Sequence, residues 1–168
     1  WITAQTYAFY HVQPNNLRVH YELDLNVQRA ATDRVAFLLP ESTPPSITVR
    51  GLEGVQLKEF NSEVRGDQRR WNVLLAERHA GVVRLAVDFR QRIAEDAPRE
   101  LALPPIRVEG VAYQTSLAAV EGSAELDIDV RTEGREVDVG ELYNADYQIG
   151  RRLLGAFSFL GDTFDMRV

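Results

Sequence analysis

The sequence has no cysteine, only three histidines and a single lysine, Lys58, among its 168 residues. Without cysteine there are no disulfides, zinc thiolate sites or thiol nucleophiles. Its most apolar window, Leu153–Gly161, contains Ser and Gly and is much shorter than the roughly 18 apolar residues of a membrane-spanning helix. We therefore expect no direct membrane insertion.

Positive charge is also in short supply, since the net charge is −6 and the arginines are dispersed. The densest basic pairs are Arg69–Arg70 and Arg151–Arg152, and such isolated pairs usually lie on a solvated face. Binding to a nucleic-acid backbone requires clustered Lys and Arg, so we expect no nucleic-acid partner. The scarcity of lysine beside abundant Ala and Val indicates a GC-rich bacterial genome.

A strict two-residue alternation runs from Leu17 to Val27, with apolar residues at the odd positions and polar residues between them. This period is typical of a strand in an antiparallel sheet with one dry and one solvated face. We therefore predict that the polar row, His20 and Glu22 included, faces water.

The preceding segment, Thr3–Val12, is rich in aromatic and β-branched residues and predicts the partner strand of a hairpin. Two registers are open. A four-residue loop places Val12 opposite Leu17, whereas a five-residue loop places Phe9 opposite Tyr21. The second register is favoured because it buries more aromatic surface.

Further short alternating segments follow at intervals of roughly 8–12 residues, which is typical of an all-β sandwich. Arg70–Glu77 and Gly81–Gln91 are predicted to pair as a hairpin across a turn that contains His79. Helical spacing occurs only within 141–155, where at most one short helix is expected. We predict an antiparallel, immunoglobulin-like or related β-sandwich over 1–93. A second β-rich unit, 94–168, packs on it or continues it.

Residues that could carry chemistry are few. His11 and His20 could approach each other across the first hairpin with Glu22 nearby, although surface histidines on a strand are the favoured interpretation. Asp127–Asp138 resembles a calcium loop but has Arg131 and Thr132 where an EF-hand needs an acceptor and a glycine. No nucleophile elbow, P-loop or dinucleotide motif is present. We expect no catalytic residue, metal or cofactor.

Exposed aromatic rings could form a platform for a carbohydrate. Tyr143 and Tyr147 lie in the irregular segment and are the rings most expected to be exposed, whereas Trp71 alternates with apolar residues and is expected in the core. The candidate ligand-facing residues are therefore Tyr143, Tyr147, His11 and His20.

The order of the segments resembles β-sandwich modules of large, uncharacterised bacterial cell-envelope proteins. The resemblance rests on the strand-ending Leu39–Pro40, the pair "WNVLLAERHAGVVRLAVDF", the segment "LALPPIRVEGVAYQTSLAAV" and the apolar "AFSFLGDTFDMRV". It implies a periplasmic or extracellular protein and carries over no functional residue.

From these features we expect a non-catalytic structural or protein-interaction module, cut from a longer chain because it starts at Trp1. Its partners would be another protein or neighbouring domains, and a homodimer through the C-terminal strand is a further expectation. The alternative is a carbohydrate-binding or accessory domain of a polysaccharide-active enzyme.

Overall fold

The computed structural model describes residues 1–96, 100–142, 144–150, 152–160 and 164–168. These residues form eleven strands and one 3-10 helical turn, Val139–Leu142. The strands are β1 (Ile2–Val12), β2 (Asn16–Pro40), β3 (Thr48–Leu52), β4 (Leu57–Arg65), β5 (Gln68–Arg92), β6 (Arg107–Val108), β7 (Tyr113–Gly122), β8 (Arg131–Thr132), β9 (Arg135–Glu136), β10 (Leu153–Leu160) and β11 (Met166–Arg167).

Nine strands belong to one mixed sheet in the order β3-β5-β2-β1-β7-β10-β9, with β4 paired to β5 and β6 paired to β2. Only β1 and β7 pair in parallel among the described strands. Strands β8 and β11 form a separate small sheet. The prediction of an all-β sandwich is confirmed, with the difference that the large sheet is mixed.

The two longest strands, β2 and β5, run alongside each other for almost their whole length, and the register between them shifts at Val27–Arg34. Arg29 has a φ of 72° there, and Gly81 on the facing strand has a φ of 79°. Such an irregularity bends the strand pair. The apolar residues before and after the bend consequently belong to one core cluster.

That core contains the odd-numbered row of β2 from Leu17 to Val27, every member of which is buried. The segment before β6 lies against it, with Leu103 and Ile106 buried. The hydroxyls of Tyr10 and Tyr21 both donate to the carbonyl of Pro104, at 2.5 and 2.6 Å. The two buried tyrosine hydroxyls therefore share one acceptor, a backbone carbonyl of the segment that covers the core.

The preferred register of the first hairpin is wrong. Val12 lies opposite Leu17 and Phe9 opposite His20, which is the register of the four-residue loop. Burial of aromatic surface favours the five-residue loop only if Tyr7 and Phe9 are otherwise exposed. Both are buried beneath another part of the chain, at 2% exposure each.

The hairpin predicted around His79 is also wrong. Arg70–Glu77 and Gly81–Gln91 are both parts of the continuous strand β5 and pair with β2 instead of each other. Gly81 adopts its positive φ inside the strand as part of the bend, so the residues that indicated a turn produce an irregularity in one long strand. Trp71 is buried as expected.

The described residues of 141–155 form no α-helix. The 3-10 turn ends at Leu142, residues 144–150 are irregular, and β10 begins at Leu153. The apolar residues that suggested helical spacing do share a side, since Leu142, Ala145, Ile149 and Leu153 all belong to a second hydrophobic cluster. This cluster packs on the face of the sheet opposite the main core.

Candidate functional site

The second face of the sheet is covered by residues 137–142 and 144–150, which we call the covering segment. Beneath it lie Tyr7, Phe9, Leu117, Ala119 and Ala156, all buried. The polar row of β2 points to this face, so the prediction that it faces water is wrong at its centre. Glu22 is 0% exposed and His20 is 7% exposed, whereas Arg18 and Asn26, beyond the covering segment, are exposed.

Glu22 holds the covering segment through its backbone. The amide N–H of Asp146 lies 2.7 Å from Oε1 and 3.0 Å from Oε2 of Glu22, and the amide of Tyr147 donates to Oε2 at 3.4 Å. An irregular segment has no ladder partners for its buried amides. The carboxylate on β2 supplies those acceptors.

Glu121 on β7 does the same further along the segment, and its side chain is only 2% exposed. Its Oε2 accepts the hydroxyl of Tyr147 at 2.7 Å, and its Oε1 accepts the amide of Gly150. An added Cβ at Gly150 would lie 2.9 Å from Oε1 of Glu121. The absence of a side chain at this position therefore allows the close approach.

Positive charge beside Glu22 comes from Arg84 on β5. Its guanidinium binds Asp24 at 2.8 Å and Glu53 at 2.6 Å, lies 3.4 Å from Oε1 of Glu22, and donates to the carbonyl of Asn144 at 3.0 Å. Burial is the largest influence on Asp24 and raises the pKa of its carboxyl although Arg84 opposes it. For Glu22, burial is outweighed by His20 and by the backbone amides, so the pKa of this carboxyl is lowered.

His20 lies between two carboxylates. Its Nδ1–H donates to Oδ1 of Asp88 at 2.6 Å, and its Nε2 is 3.6 Å from Oε2 of Glu22, which is an ion-pair distance too long for a hydrogen bond. Burial favours the neutral ring, but Asp88 and Glu22 outweigh it and raise the pKa of His20 to about 9. His20 is therefore an imidazolium at neutral pH.

The ring of Tyr147 lies against the rings of Phe9 and His20. The ring stacks on Phe9 at 4.4 Å and on His20 at 5.2 Å, with interplanar angles of 26° and 27°. Phe9 and His20 are themselves only 5.9 Å apart. If Phe9 and His20 lay on opposite faces of Tyr147, the distance between their ring centres would be nearly the sum of the two stacking distances. The observed distance is much shorter, so both rings lie against the same face of Tyr147. The side chain of Tyr147 is partly exposed.

An open groove of about 350 Å³ lies beside Tyr147. Asp88 forms part of its floor, with a side chain that is 40% exposed. Arg18 and Arg90 lie directly opposite each other on β2 and β5 and also line it, as do the hydroxyl-bearing Ser46 and Thr48.

The structure brings together two of the four predicted ligand-facing residues, His20 and Tyr147. His11 is on the same face, with Nδ1 4.0 Å from Oε2 of Glu121 and a side chain 29% exposed. Tyr143 lies outside the described residues. In the described part of the chain no group of three or more His, Cys, Asp or Glu side chains is arranged to hold a metal ion.

Sequence reasoning missed Arg84, Asp88 and Glu121. Asp88 and Glu121 each interrupt an apolar run, Asp88 between Val87 and Phe89 and Glu121 directly after Val120. Apolar residues at consecutive positions in such a run indicate that both faces of the strand are covered. No sequence signal shows which segment lies over it.

Comparison with known proteins shows a fold likeness only. No family model matches the chain, and no curated protein sequence matches it. Yeast leukotriene A4 hydrolase in complex with bestatin matches at 11% identity and a TM-score of 0.55, over 99% of this chain and 28% of the hydrolase. The native enzyme from Saccharomyces cerevisiae matches at 11% identity and a TM-score of 0.54 over the same shares.

A non-cellulosomal cohesin from the archaeon Archaeoglobus fulgidus matches at 12% identity, over 74% of this chain and 92% of the cohesin. Its TM-score of 0.37 does not establish a shared fold. The chain spans little more than a quarter of the hydrolase chains, and it shares with them a fold. No helix in the described ranges has the length and hydropathy needed to cross a membrane.

Proposed function

We propose that this chain is a non-catalytic structural or protein-interaction module of a larger extracytoplasmic bacterial protein. The observation that carries the proposal is the set of hydrogen bonds that the buried carboxylates accept. Glu22 and Glu121 direct their oxygens to the amides of Asp146, Tyr147 and Gly150 and to the hydroxyl of Tyr147. A general acid or base has to reach its substrate, whereas these two groups are occupied by the chain's own backbone and side chains.

Two further features support a module of a longer protein. The fold likeness to leukotriene A4 hydrolase covers 28% of that enzyme, so a similar fold occurs as one part of a longer chain. The resemblance to β-sandwich modules of bacterial cell-envelope proteins provides the extracytoplasmic setting. No activity of the hydrolase is carried over, because a fold hosts many functions.

Strand β4 offers a route to a partner. It pairs only with β5 among the described strands, so its second edge is open, and most of its residues are exposed. Phe60 is 39% exposed and Val64 is 54% exposed on this strand. An open edge can accept a strand from a neighbouring domain or protein.

Hydrogen exchange tests this proposal when the 168-residue chain is compared with the full-length protein that contains it. We expect the amides of β4 to exchange at least about tenfold more slowly in the full-length protein, because a neighbour covers the edge. The amides of β1, which is paired on both sides, serve as the internal control. Identical exchange of β4 in the two proteins would contradict the use of this edge.

A second candidate function is a carbohydrate-binding accessory domain. The observation in its favour is the partly exposed ring of Tyr147, which lines a groove that also contains a carboxylate and two hydroxyl-bearing residues. Flat aromatic faces suit the apolar faces of sugar rings, and such polar groups suit their hydroxyls.

A further inference from the structure

The groove beside Tyr147 contains two facing like charges, which lower the stability of the fold without an evident structural benefit. Arg18 and Arg90 occupy directly opposite positions on β2 and β5. Like charges at such positions repel each other, since their Cβ atoms are about 4.5–5.5 Å apart. Among the described residues no carboxylate lies within ion-pair distance of either guanidinium.

Some other arginines of the same sheet have carboxylate partners. Arg84 contacts three carboxylates, and Arg70 contacts Glu63 and Glu109. The chain as a whole has more acids than bases, so partners of the right sign are plentiful. Two like charges that face each other in one groove without a carboxylate partner are a local conflict of the kind found at functional sites.

Two neighbouring guanidiniums can share one anionic group, because each presents a fork of N–H donors that matches a carboxylate or phosphate. Asp88 restricts the kind of anionic ligand that the groove can bind. Its Oδ1 accepts from His20, and the side chain remains 40% exposed towards the groove. A ligand that is only an anion would be repelled by Asp88, whereas one that also carries hydroxyl donors would satisfy it.

The remaining walls agree with such a ligand. The partly exposed Tyr147 lines the groove, and so do Ser46 and Thr48 on the β3 side. The volume of about 350 Å³ is at the small end of the roughly 300–1,000 Å³ typical of ligand sites. It suits one sugar residue better than an extended chain.

We propose that this groove binds an acidic sugar, with its carboxylate between Arg18 and Arg90, its hydroxyls at Asp88 and Thr48, and its ring against Tyr147. The proposal rests on the second candidate function and specifies it. It differs from a general carbohydrate site because the carboxylate is required. It differs from a general anion site because the hydroxyls are required.

Titration of the 168-residue chain with D-glucuronate, followed by NMR, tests the proposal. We expect saturable shifts of the Arg18, Arg90 and Tyr147 amides. The double variant Arg18→Gln/Arg90→Gln should weaken binding at least about tenfold, since it removes charge-assisted hydrogen bonds. Arg34→Gln, which removes the same charge near the other end of β2, should leave the affinity unchanged.

The double variant is expected to fold, because both side chains are exposed and the substitution removes a repulsion. Its melting temperature should equal or slightly exceed that of the wild type.

Two matched probes separate the outcomes. Glucose has the hydroxyls without the carboxylate, and inorganic phosphate has the charge without the ring; both should bind at least about tenfold more weakly than glucuronate. Glucose binding as tightly as glucuronate would overturn the acidic-sugar proposal while leaving a carbohydrate-binding domain. Phosphate binding as tightly would overturn it in favour of a general anion site. Absence of glucuronate binding would overturn the proposal, and absence of binding by both glucuronate and glucose would overturn the candidate function beneath it as well.

Discussion

The side chains on the two faces of β2 are buried in different surroundings. On one face, Leu23 and its neighbours two residues away are buried in the main core, where the few polar side chains, Thr6, Gln114 and Ser116, hydrogen-bond one another. On the other, Glu22 is buried equally deeply, at 0% exposure, among aromatic and aliphatic side chains. Leu23 and Glu22 are adjacent in sequence, but one side chain is apolar and the other is charged.

The difference lies in what covers each face. Over the main core, the segment before β6 presents the carbonyl of Pro104, which accepts from the hydroxyls of Tyr10 and Tyr21. The covering segment is irregular, so its amides need acceptors when they leave water. Burial of Glu22 and Glu121 is tolerated because each receives several hydrogen bonds and because Arg84 and His20 provide positive charge nearby. A polar row therefore does not always mark a solvated face.

The largest expected effect comes from Glu22→Ala. It leaves the amides of Asp146 and Tyr147 without their acceptor and removes a buried charge beside Arg84. We expect a loss of about 3–5 kcal/mol in the free energy of unfolding, measured with urea.

Glu53→Ala is the matched control, since Glu53 contacts the same guanidinium at 2.6 Å but is 66% exposed. It should cost less than about 1 kcal/mol. Equal losses for the two variants would show that the covering segment does not depend on Glu22.

The pH dependence of stability should report on His20. Its pKa is about 9 in the folded protein and about 6.5 when unfolded. The stabilisation is therefore fully present below about pH 6.5 and is lost as the pH rises through about 9, with a magnitude on the order of 3 kcal/mol.

Asp88 and Glu22 face His20 from β5 and β2, and Arg18 and Tyr147 lie nearby. Urea unfolding between pH 6 and 10 should show a smaller alkaline loss for His20→Asn than for the wild type. Parallel curves for the two proteins would contradict an imidazolium between the carboxylates.

A smaller effect is expected from Tyr147→Phe, which keeps the ring but removes the hydroxyl that donates to Glu121 at 2.7 Å. Glu121 retains the Gly150 amide, so the expected cost is about 1–3 kcal/mol. Tyr113→Phe is the control because Tyr113 is 51% exposed. If both tyrosine variants melt at the wild-type temperature, the hydroxyl of Tyr147 contributes nothing to holding the covering segment.

The smallest effect is expected at Val82, which shares the second face of the sheet but lies beyond the covering segment and is 62% exposed. Val82→Thr should change the free energy of unfolding by less than about 0.5 kcal/mol. A loss of 2 kcal/mol or more, roughly that of a core substitution, would show that the covered area extends further than the contacts indicate.

The strands themselves were predictable because their alternation is a local property. The period of Leu17–Val27 identified the strand and the apolar row that enters the main core. Fold class followed from many such segments. Gly66 and Asp67 form the tip between β4 and β5, and both residue types are common in turns.

The site was not predictable in the same way because it depends on contacts between distant parts of the chain. Glu22 meets the amide of Asp146 across 124 residues. The register of the first hairpin was misjudged for the same reason, since the burial of Phe9 depends on Tyr147. Likewise, the residues around His79 indicated a turn, whereas long-range pairing with β2 keeps β5 continuous.

Amide hydrogen exchange of the wild-type protein tests most directly whether buried carboxylates hold the covering segment. The amides of Asp146, Tyr147 and Gly150 lie in an irregular segment, where exchange is usually fast. We predict protection within about tenfold of that of the β1 amides, because Glu22 and Glu121 accept these three N–H groups. Exchange of all three at the rate of an unprotected chain would contradict the central claim.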